Sequence, residues 1–100
     1  MRSFGPRKNG IYVFYINDIP YIGKDNDIQK LKRIKCHIND LTKNKHFNIE
    51  MQDEFNKLGS VHRYEILEEF YPPLDDDKLC ELEQIYIRNL NSYNNGFNKT

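Results

Sequence analysis

The stretch from Gly10 to Gly23, GIYVFYINDIPYIG, consists of two runs rich in apolar and aromatic residues on either side of Asn17-Asp18. Ile, Tyr, Val and Phe favour strands, and an Asn-Asp pair between two such runs is typical of a two-residue turn. The stretch therefore predicts a β-hairpin with strands at residues 10–16 and 19–23. Pro20 cannot donate a backbone hydrogen bond, so the returning strand is expected at an edge of its sheet.

The faces of this hairpin follow from its turn. A two-residue turn pairs Phe14 with Tyr21 and Tyr12 with Gly23, and alternation of side chains then puts all four on one face. Tyr12 and Tyr21 become diagonal neighbours within side-chain reach. Gly23 is expected to leave room for the backbone of a ligand. Ordinary packing of aromatic strand residues explains the same pattern without any function, and spacing alone does not decide between the two interpretations.

The hydrophobic period changes after the hairpin. Apolar residues recur every three to four positions from residue 27 onward and predict an amphipathic helix; they are Ile28, Leu31, Ile34, Ile38 and Leu41. A second helix is predicted at about residues 48–58, where Met51, Phe55 and Leu58 would be buried and Gly59 would cap the end.

The remaining part of the chain predicts a strand at residues 61–68, a break at Tyr71-Pro72-Pro73 and a helix that ends near Leu90. The polar segment 91–100 contains Tyr93 and Phe97, which are expected to fold back onto the domain. The predicted order β-β-α-α-β-α, without an internal repeat, indicates the α+β class.

Length and charge limit the alternatives. A chain of 100 residues supports one small domain, here residues 1–100 with a basic lead at 1–9. Its formal net charge is zero, but the two signs are segregated along the sequence. The basic stretch contains Lys30, Lys32, Arg33, Lys35, Lys43 and Lys45. The later acidic stretch contains Glu65, Glu68, Glu69, Asp75, Asp76, Asp77 and Glu81. Segregation permits a basic face on a neutral molecule, although ordinary solvated helix faces explain the charges equally well.

Cysteine usage and hydropathy indicate the compartment. Cys36 and Cys80 do not have the spacing of a zinc site and are expected as buried or half-buried free thiols. The sequence contains no apolar run long enough for a membrane span and no signal-peptide pattern, so we expect a cytoplasmic, intracellular protein. Abundant Asn, Lys and Ile are typical of an AT-rich genome such as that of a phage or a mobile element.

Two residues of the first predicted helix have chemistry suited to phosphate. Arg33 and His37 are four residues apart, so they project from one side of the helix, beside its apolar stripe. A guanidinium matches paired phosphate oxygens with a fork of donors, and an imidazole can move a proton or hold a water. A surface arginine and a hydrogen-bonded histidine without function are the alternative.

One carboxylate of the last predicted helix lies at an unexpected position. The buried stripe of that helix is expected to contain Leu79, Leu82, Tyr86 and Leu90. At about 100° per residue, Glu83 projects inside this stripe. A carboxylate on an apolar face is costly unless it is paired or binds a metal, so Glu83 is either a metal ligand or the partner of Arg33 in a buried ion pair.

Other polar residues have simpler interpretations. Asp75, Asp76 and Asp77 follow two prolines and fit an N-cap and first-turn acids better than they fit a metal site. His46 and His62 lack partners at a useful spacing.

Together these motifs resemble a known family. Gly10-Ile11-Tyr12 and Tyr21-Ile22-Gly23 at hairpin separation, followed by Arg-x-x-x-His on a helix, are similar to the signature of the GIY-YIG nuclease superfamily. The pattern Glu-x-x-Tyr-Ile at Glu83 and the closing Gly96-Phe97-Asn98 extend the resemblance to almost the whole chain. The resemblance implies a small antiparallel three-stranded sheet flanked by helices. The spacing from Gly23 to Arg33 is longer than in the homing-enzyme branch, and the loop at residues 25–27 would absorb the difference.

The resemblance also implies roles for single residues. Arg33 corresponds to the essential arginine, and Glu83 to the single glutamate that holds Mg²⁺ or Mn²⁺. Tyr12, or Tyr21 through a water, would orient or deprotonate the attacking water, with His37 as the rival base. The residues expected to bind nucleic acid are Lys24, Lys30, Lys32, Lys35 and Asn98, of which Asn98 would also brace the site; Lys30 would compete with Arg33 for the phosphate if the helix began earlier.

The expected activity is that of a metal-dependent endonuclease that nicks one strand of DNA at a short preferred sequence. Relatives join this domain to a DNA-recognition module that is not present in this sequence. Specificity would then come from the domain's own loops, from basic residues 1–8 or from a targeting protein partner, and the chain is expected to act as a monomer. The alternatives are the catalytic head of a larger nuclease assembly and a nucleic-acid-binding module without activity.

Overall fold

The computed structural model describes residues 6–58, 62–90 and 96–98. Its elements are β1 (Asn9–Ile16), β2 (Ile19–Asp25), a 3₁₀ turn (Ile28–Lys30), α1 (Lys32–Thr42), α2 (Ile49–Leu58), β3 (His62–Phe70) and α3 (Asp76–Asn89). The strands form one antiparallel sheet in the order β2-β1-β3. The predicted α+β class and element order are confirmed.

The hairpin has the predicted register. Asn17 and Asp18 adopt positive φ angles of 51° and 69°, the geometry of the two-residue type I′ turn. Phe14 therefore pairs with Tyr21, and Tyr12 with Gly23. β2 lies at an edge of the sheet, as Pro20 indicated, and extends two residues further than predicted.

The central strand β1 is buried on both faces, and its alternate side chains enter two separate cores. Tyr12, Phe14 and Ile16 pack with residues of α1 and α2, among them Ile34, Leu41 and Met51. Ile11 and Val13 pack on the opposite face with Ile22, Leu79 and Ile87. The sheet thus separates α1 and α2 from α3, and each helix layer buries its apolar stripe against it.

The first helix does not run continuously from residue 27 as predicted. Leu31 adopts a left-handed φ of 53° between the 3₁₀ turn and α1. The backbone N–H groups freed by this break are bound by a carboxylate from the end of β2. Asp25 Oδ1 accepts from Asp27 N–H at 2.8 Å, and Asp25 Oδ2 accepts from Arg33 N–H at 2.8 Å. A contact eight residues away in sequence therefore decides where α1 begins.

Smaller differences concern single side chains. Leu90 is 44% exposed rather than buried, because α3 has already ended at Asn89. Ile87, which is 4% exposed, is the buried residue near the end of this helix. Cys36 is exposed rather than buried, and Cys80 is half-buried as expected. Asp75 is the N-cap of α3 and accepts from Lys78 N–H, as predicted.

Phe97 is buried as expected. The Leu58 side chain, Gly59 and Tyr93 lie outside the described residues. Within the described part of the chain, no helix combines the length and apolar character that crossing a membrane requires.

Candidate active site

An open cleft of about 360 Å³ lies on the face of the hairpin that was predicted to carry both tyrosines. Four of the five residues predicted as catalytic line it, each from a different element: Tyr12 (β1), Tyr21 (β2), Arg33 (α1) and Glu83 (α3). The remaining lining residues are Gly23, Lys24, Asp25, Asn26, Asp27 and Lys32. The fold therefore brings together side chains that are 71 positions apart at the extremes, Tyr12 and Glu83.

The two tyrosines differ in their surroundings. Tyr12 is 1% exposed, and its phenol oxygen lies 2.8 Å from His37 Nε2, within hydrogen-bond distance. Burial strongly raises the pKa of Tyr12, an effect that the nearby Arg33 charge partly opposes. Burial also raises the pKa of Tyr21, and the Glu83 carboxylate adds to this increase. Both phenols are therefore protonated at neutral pH in the free protein.

Gly23 has a different role from the one predicted. We expected its missing side chain to leave room for a ligand, but the space is filled by the ring of Tyr12. A Cβ at Gly23 would overlap the phenol oxygen and the adjacent ring carbons. Gly23 is thus required because Tyr12 lies against its backbone.

Arg33 supplies the central positive charge of the cleft. It is the second residue of α1, and the bond from its backbone N–H to Asp25 fixes the position of this turn of the helix. Its charge lowers the pKa of Tyr12, Tyr21 and Glu83, so the guanidinium acts on all three. A cation in this position is suited to an anionic substrate group such as a phosphate.

Glu83 is half-buried, as its place in the apolar stripe predicted. Burial raises the pKa of its carboxyl, and the charges of Lys24 and Arg33, with a hydrogen bond from the Lys24 backbone, oppose that increase. Among the described residues, no cation lies within ion-pair distance of Glu83, so the alternative of a buried pair with Arg33 is not supported.

Glu83 offers a divalent cation one carboxylate at the edge of the cleft. The described residues contain no group of three or more His, Cys, Asp or Glu that could hold a metal. Asp25 also lines the cleft, but both of its oxygens accept backbone hydrogen bonds. One free carboxylate on an open cleft fits Mg²⁺, which keeps several waters and is completed by substrate phosphate oxygens.

His37 lies behind the cleft rather than in it. Its ring is 2% exposed and is bonded on both sides, to Tyr12 through Nε2 and to His46 Nε2 through Nδ1 at 2.7 Å. Burial, with smaller contributions from His46 and Arg33, lowers the pKa of His37 to about 3. The ring is neutral at physiological pH, and its access to a substrate is blocked by Tyr12.

His46 contradicts the prediction that it has no useful partner. Its Nε2 is hydrogen-bonded to His37 Nδ1, and the two rings lie edge to edge with their centroids 4.9 Å apart and their planes inclined by 28°. Phe47 stacks on the His46 ring, with the ring centroids 4.6 Å apart. The pair was missed because His37 is on α1 and His46 is in the following loop, where no helical period relates them.

Asp25 is the second residue that sequence reasoning missed. The sequence predicts it only as part of a loop that absorbs extra length, yet it is 1% exposed and organises the floor of the cleft. The signal for it in the sequence is an acidic residue at the end of a strand and shortly before a helix, since carboxylates commonly bind the N–H groups of a helix start.

The predicted nucleic-acid ligands lie in three places. Lys24 lines the cleft, but its Nζ bonds Asp76 Oδ1 at 3.3 Å and Cys80 Sγ at 3.0 Å. Lys32 also lines the cleft, and with Lys30 and Lys35 it surrounds an adjoining shallow pocket on the surface of α1. Lys30 would compete with Arg33 only if α1 began earlier than it does. The helix begins at Lys32, and Arg33 rather than Lys30 lines the cleft.

Asn98 has a bracing position. Its Oδ1 accepts from Ile22 N–H at 2.7 Å, and its Nδ2 donates to Ile22 C=O at 2.8 Å. Both hydrogen bonds hold β2 between the two site residues Tyr21 and Gly23, so Asn98 supports the cleft from outside the sheet.

Comparisons with known proteins extend these observations. No family model matches the chain. The Intron-associated endonuclease 1 of Enterobacteria phage T4 is 41% identical over 93 residues, which cover 91% of this chain and 36% of that protein. The chain thus spans about a third of the length of this relative.

Two solved structures are similar over nearly the whole fold. The catalytic domain of homing endonuclease I-TevI is 38% identical with a TM-score of 0.79, and the match covers 92% of this chain and 98% of that one. A mutant of the catalytic domain of intron endonuclease I-TevI is 39% identical with a TM-score of 0.81, covering 93% and 94%.

Proposed function

Because the chain belongs to the GIY-YIG nuclease superfamily, we propose that it is a divalent-metal-dependent endonuclease that hydrolyses DNA phosphodiester bonds and nicks one strand at a time. The observation that carries the proposal is the cleft itself, where Tyr12, Tyr21, Arg33 and Glu83 converge from four elements. The phage relative and the I-TevI catalytic domain favour a phage or mobile-element origin.

Arg33 binds the scissile phosphate in this proposal. Its planar fork of donors matches two phosphate oxygens, and its permanent charge offsets the negative charge that grows in the transition state. The Asp25 bond to the Arg33 backbone holds the first turn of α1 at the cleft, so the backbone that carries the guanidinium is fixed in position. Such preorganisation lowers the cost of reaching the transition state.

Glu83 would hold one Mg²⁺ or Mn²⁺ ion beside the phosphate. When bound, the ion supplies Lewis-acid stabilisation of the phosphate and of the leaving 3′ oxygen. The half-buried position of Glu83 raises its pKa and leaves its carboxylate poorly solvated, which favours a cation partner.

Tyr12 and Tyr21 orient the attacking water. A new bond forms between the water oxygen and phosphorus, the P–O3′ bond breaks, and the 3′ oxygen leaves as a hydroxyl after gaining a proton from solvent in the cleft. Tyr12 is the better candidate for the group that receives the water's proton, because its oxygen already has a hydrogen-bond partner in His37. Since the phenol is protonated in the free protein, it would release its own hydroxyl proton into the cleft as it takes the proton of the water. His37 itself lies behind Tyr12 and does not line the cleft.

The lysines at the mouth of the cleft extend the site to flanking phosphates. Lys24 and Lys32 line the cleft. Lys30 in the 3₁₀ turn and Lys35 on α1 line a neighbouring pocket with Lys32 and Asp27, where the lysines outnumber the single acid. Contacts of this type position DNA without reading its sequence. One cleft of this kind acts on one strand per encounter, which is why we propose nicking.

Supercoiled plasmid tests the proposal. With Mg²⁺, the open-circle form should accumulate before any linear form, and EDTA should prevent both. Glu83→Gln preserves the shape of the side chain but removes its charge, so it should abolish cleavage while the far-ultraviolet circular dichroism stays unchanged. Linear product without an open-circle stage would refute nicking, and full activity of Glu83→Gln would refute the metal site.

A second candidate is the catalytic head of a larger nuclease. It is favoured by the observation that the chain spans about a third of its phage relative. In that case the isolated chain would bind or cut plasmid weakly, and fusion to a sequence-specific DNA-binding domain should direct nicks to sites beside its target. Efficient nicking of plasmid by the isolated chain would speak against this candidate.

A further inference from the structure

A chain of hydrogen bonds runs away from the cleft behind Tyr12. The Tyr12 oxygen lies 2.8 Å from His37 Nε2, and His37 Nδ1 lies 2.7 Å from His46 Nε2. The last link is a backbone group, because Asn48 N–H donates to His46 Nδ1 at 3.0 Å. The first two links are ambiguous by distance alone, since either imidazole nitrogen can carry the proton.

The backbone link removes the ambiguity. A peptide N–H can only donate, so His46 Nδ1 must be the acceptor and carries no proton. The proton of the neutral ring is then on Nε2, which donates to His37 Nδ1. By the same reasoning His37 carries its proton on Nε2 and donates to the oxygen of Tyr12. Burial lowers the pKa of both histidines, in agreement with two neutral rings.

The donor at the far end is held firmly. Asn48 precedes α2, and its Oδ1 accepts from Met51 N–H at 3.1 Å, so it caps that helix. Asn48 Nδ2 donates to Phe97 C=O at 2.9 Å. Gln52 Oε1 accepts from the backbone N–H of His46 at 3.0 Å. These contacts fix the backbone around His46, while the stacked ring of Phe47 covers one side of the imidazole.

We infer that His46 is a positioning residue that holds His37 in the Nε2–H tautomer. The Tyr12 oxygen then accepts a hydrogen bond from His37, and the hydroxyl proton of Tyr12 points away from His37, toward the cleft. In the opposite tautomer His37 Nε2 would carry a lone pair, and the Tyr12 hydroxyl would turn inward to donate to it. The part that this arrangement plays in cleavage rests on the proposed function; the tautomer assignment does not.

The consequence concerns the base. A His37 Nε2 that already carries a proton cannot remove one from Tyr12, but it donates to the phenol oxygen and stabilises its anion. Tyr12 can therefore take a proton from a water in the cleft as its own hydroxyl proton leaves into the cleft, with a neutral donor behind it. Asn48 N–H orients both histidines, and it lies at the end of the hydrogen-bonded series that is farthest from the reacting atoms.

The test begins with the imidazole nitrogens of the wild-type protein. Long-range proton–nitrogen NMR correlation spectra distinguish the two neutral tautomers and the imidazolium. We expect His37 and His46 both as Nε2–H forms near neutral pH. Observation of His37 in the Nδ1–H form, or as an imidazolium, would overturn the inference without any measurement of cleavage.

Two substitutions test whether His46 is the cause. His46→Met removes the donor to His37, and we expect both His37 tautomers to become populated. His46→Gln can present an amide N–H near the position of Nε2 and should retain the single wild-type tautomer. His62→Met, a matched change at a histidine of β3 outside the hydrogen-bonded chain, should leave His37 unchanged. A single Nε2–H form of His37 in folded His46→Met would refute the role of His46.

Single-turnover cleavage then connects the tautomer to the reaction. By analogy with other sites that depend on one histidine tautomer, His46→Met should lower the cleavage rate about ten- to a hundredfold. The protein concentration that gives half-saturation should not change, because His46 is buried and does not line the cleft. His46→Gln should recover most of the rate. Wild-type protein without cleavage would refute the proposed function and leave the NMR result to decide the tautomer. Equal rates in the wild type and His46→Met would refute the positioning role.

Discussion

The phenol of Tyr12 lies in the space that a side chain at position 23 would occupy. The two residues are cross-strand partners in the hairpin, and a Cβ on Gly23 would meet the Tyr12 oxygen and two of its ring carbons. The second glycine of the paired tripeptides is therefore determined by the first tyrosine. This relationship explains why the two motifs occur together at hairpin separation.

Gly23→Ala should displace Tyr12. The added methyl group has no free space, so we expect a loss of about 1–3 kcal/mol in the free energy of unfolding, the usual cost of overpacking. Cleavage should fall as well, because the phenol must move away from His37. In a Tyr12→Ala background the stability cost of Gly23→Ala should largely disappear. Urea unfolding of the four proteins measures this coupling, and additive costs would contradict the contact.

Asp25→Asn should weaken the start of α1. One oxygen becomes an NH₂ group that faces a backbone N–H, so a buried donor loses its acceptor. We expect a loss of about 1–3 kcal/mol in unfolding free energy, and slower cleavage because Arg33 is displaced. Asp18→Asn is the matched control at an exposed turn position, and it should change stability by less than about 0.5 kcal/mol. A similar result for both substitutions would show that Asp25 does not organise this loop.

Arg33→Lys tests whether the positive charge at residue 33 is sufficient for cleavage or whether the planar geometry of the guanidinium is also required. Lysine keeps the positive charge but lacks the planar fork that binds two phosphate oxygens at once. We expect the single-turnover rate to fall about a hundredfold, within the range seen when a transition-state donor is removed. Lys35→Ala, on the exposed surface of the same helix, should change the rate little and weaken binding slightly. A wild-type rate for Arg33→Lys would mean that charge alone is sufficient.

The buried histidine predicts a loss of stability in acid. The pKa of His37 is lowered to about 3 in the folded protein, against about 6.5 in an unfolded chain. Above about pH 6.5 the ring is neutral in both states, and stability does not depend on it. As the pH falls from about 6.5 toward 3, the unfolded chain binds a proton that the folded protein does not. The free energy of unfolding should therefore fall by about 1.4 kcal/mol per pH unit on account of this ring.

Urea unfolding near pH 7, 6 and 5 measures that dependence. His37→Asn should flatten the slope relative to the wild type. The ring signals of His37 in the wild-type NMR spectrum should not titrate over the same range. Titration of His37 near its ordinary pKa would contradict its burial in the folded protein.

Local patterns predicted the hairpin and much of the cleft. The register follows from a period of two and a two-residue turn, so Tyr12 and Tyr21 could be placed on one face before the structure was known. The inward position of Glu83 followed from the helical period in the same way. These features depend on residues that are neighbours in sequence or on one regular element.

The features that sequence reasoning missed depend on contacts between elements. The start of α1 after Leu31 is fixed by Asp25, whose carboxylate accepts from Arg33 N–H, a group of the first helical turn that has no partner within the helix. The pairing of His37 with His46 requires the loop after α1 to turn back over the helix, and no periodic pattern encodes that turn. Residues that bind backbone groups at a distance are difficult to recognise from one sequence because their partners have no side-chain signature.

The contacts of Phe97 and Asn98 with β2 also affect solubility. Phe97 N–H donates to Pro20 C=O at 2.8 Å, and the Asn98 amide satisfies both backbone groups of Ile22. These are groups on the outer edge of a strand, where an unpaired row of donors and acceptors can recruit a strand from another molecule. With them occupied, the edge beside the cleft is closed to sheet extension. Substitution of Asn98 by alanine would therefore be expected to promote aggregation as well as loosen the hairpin.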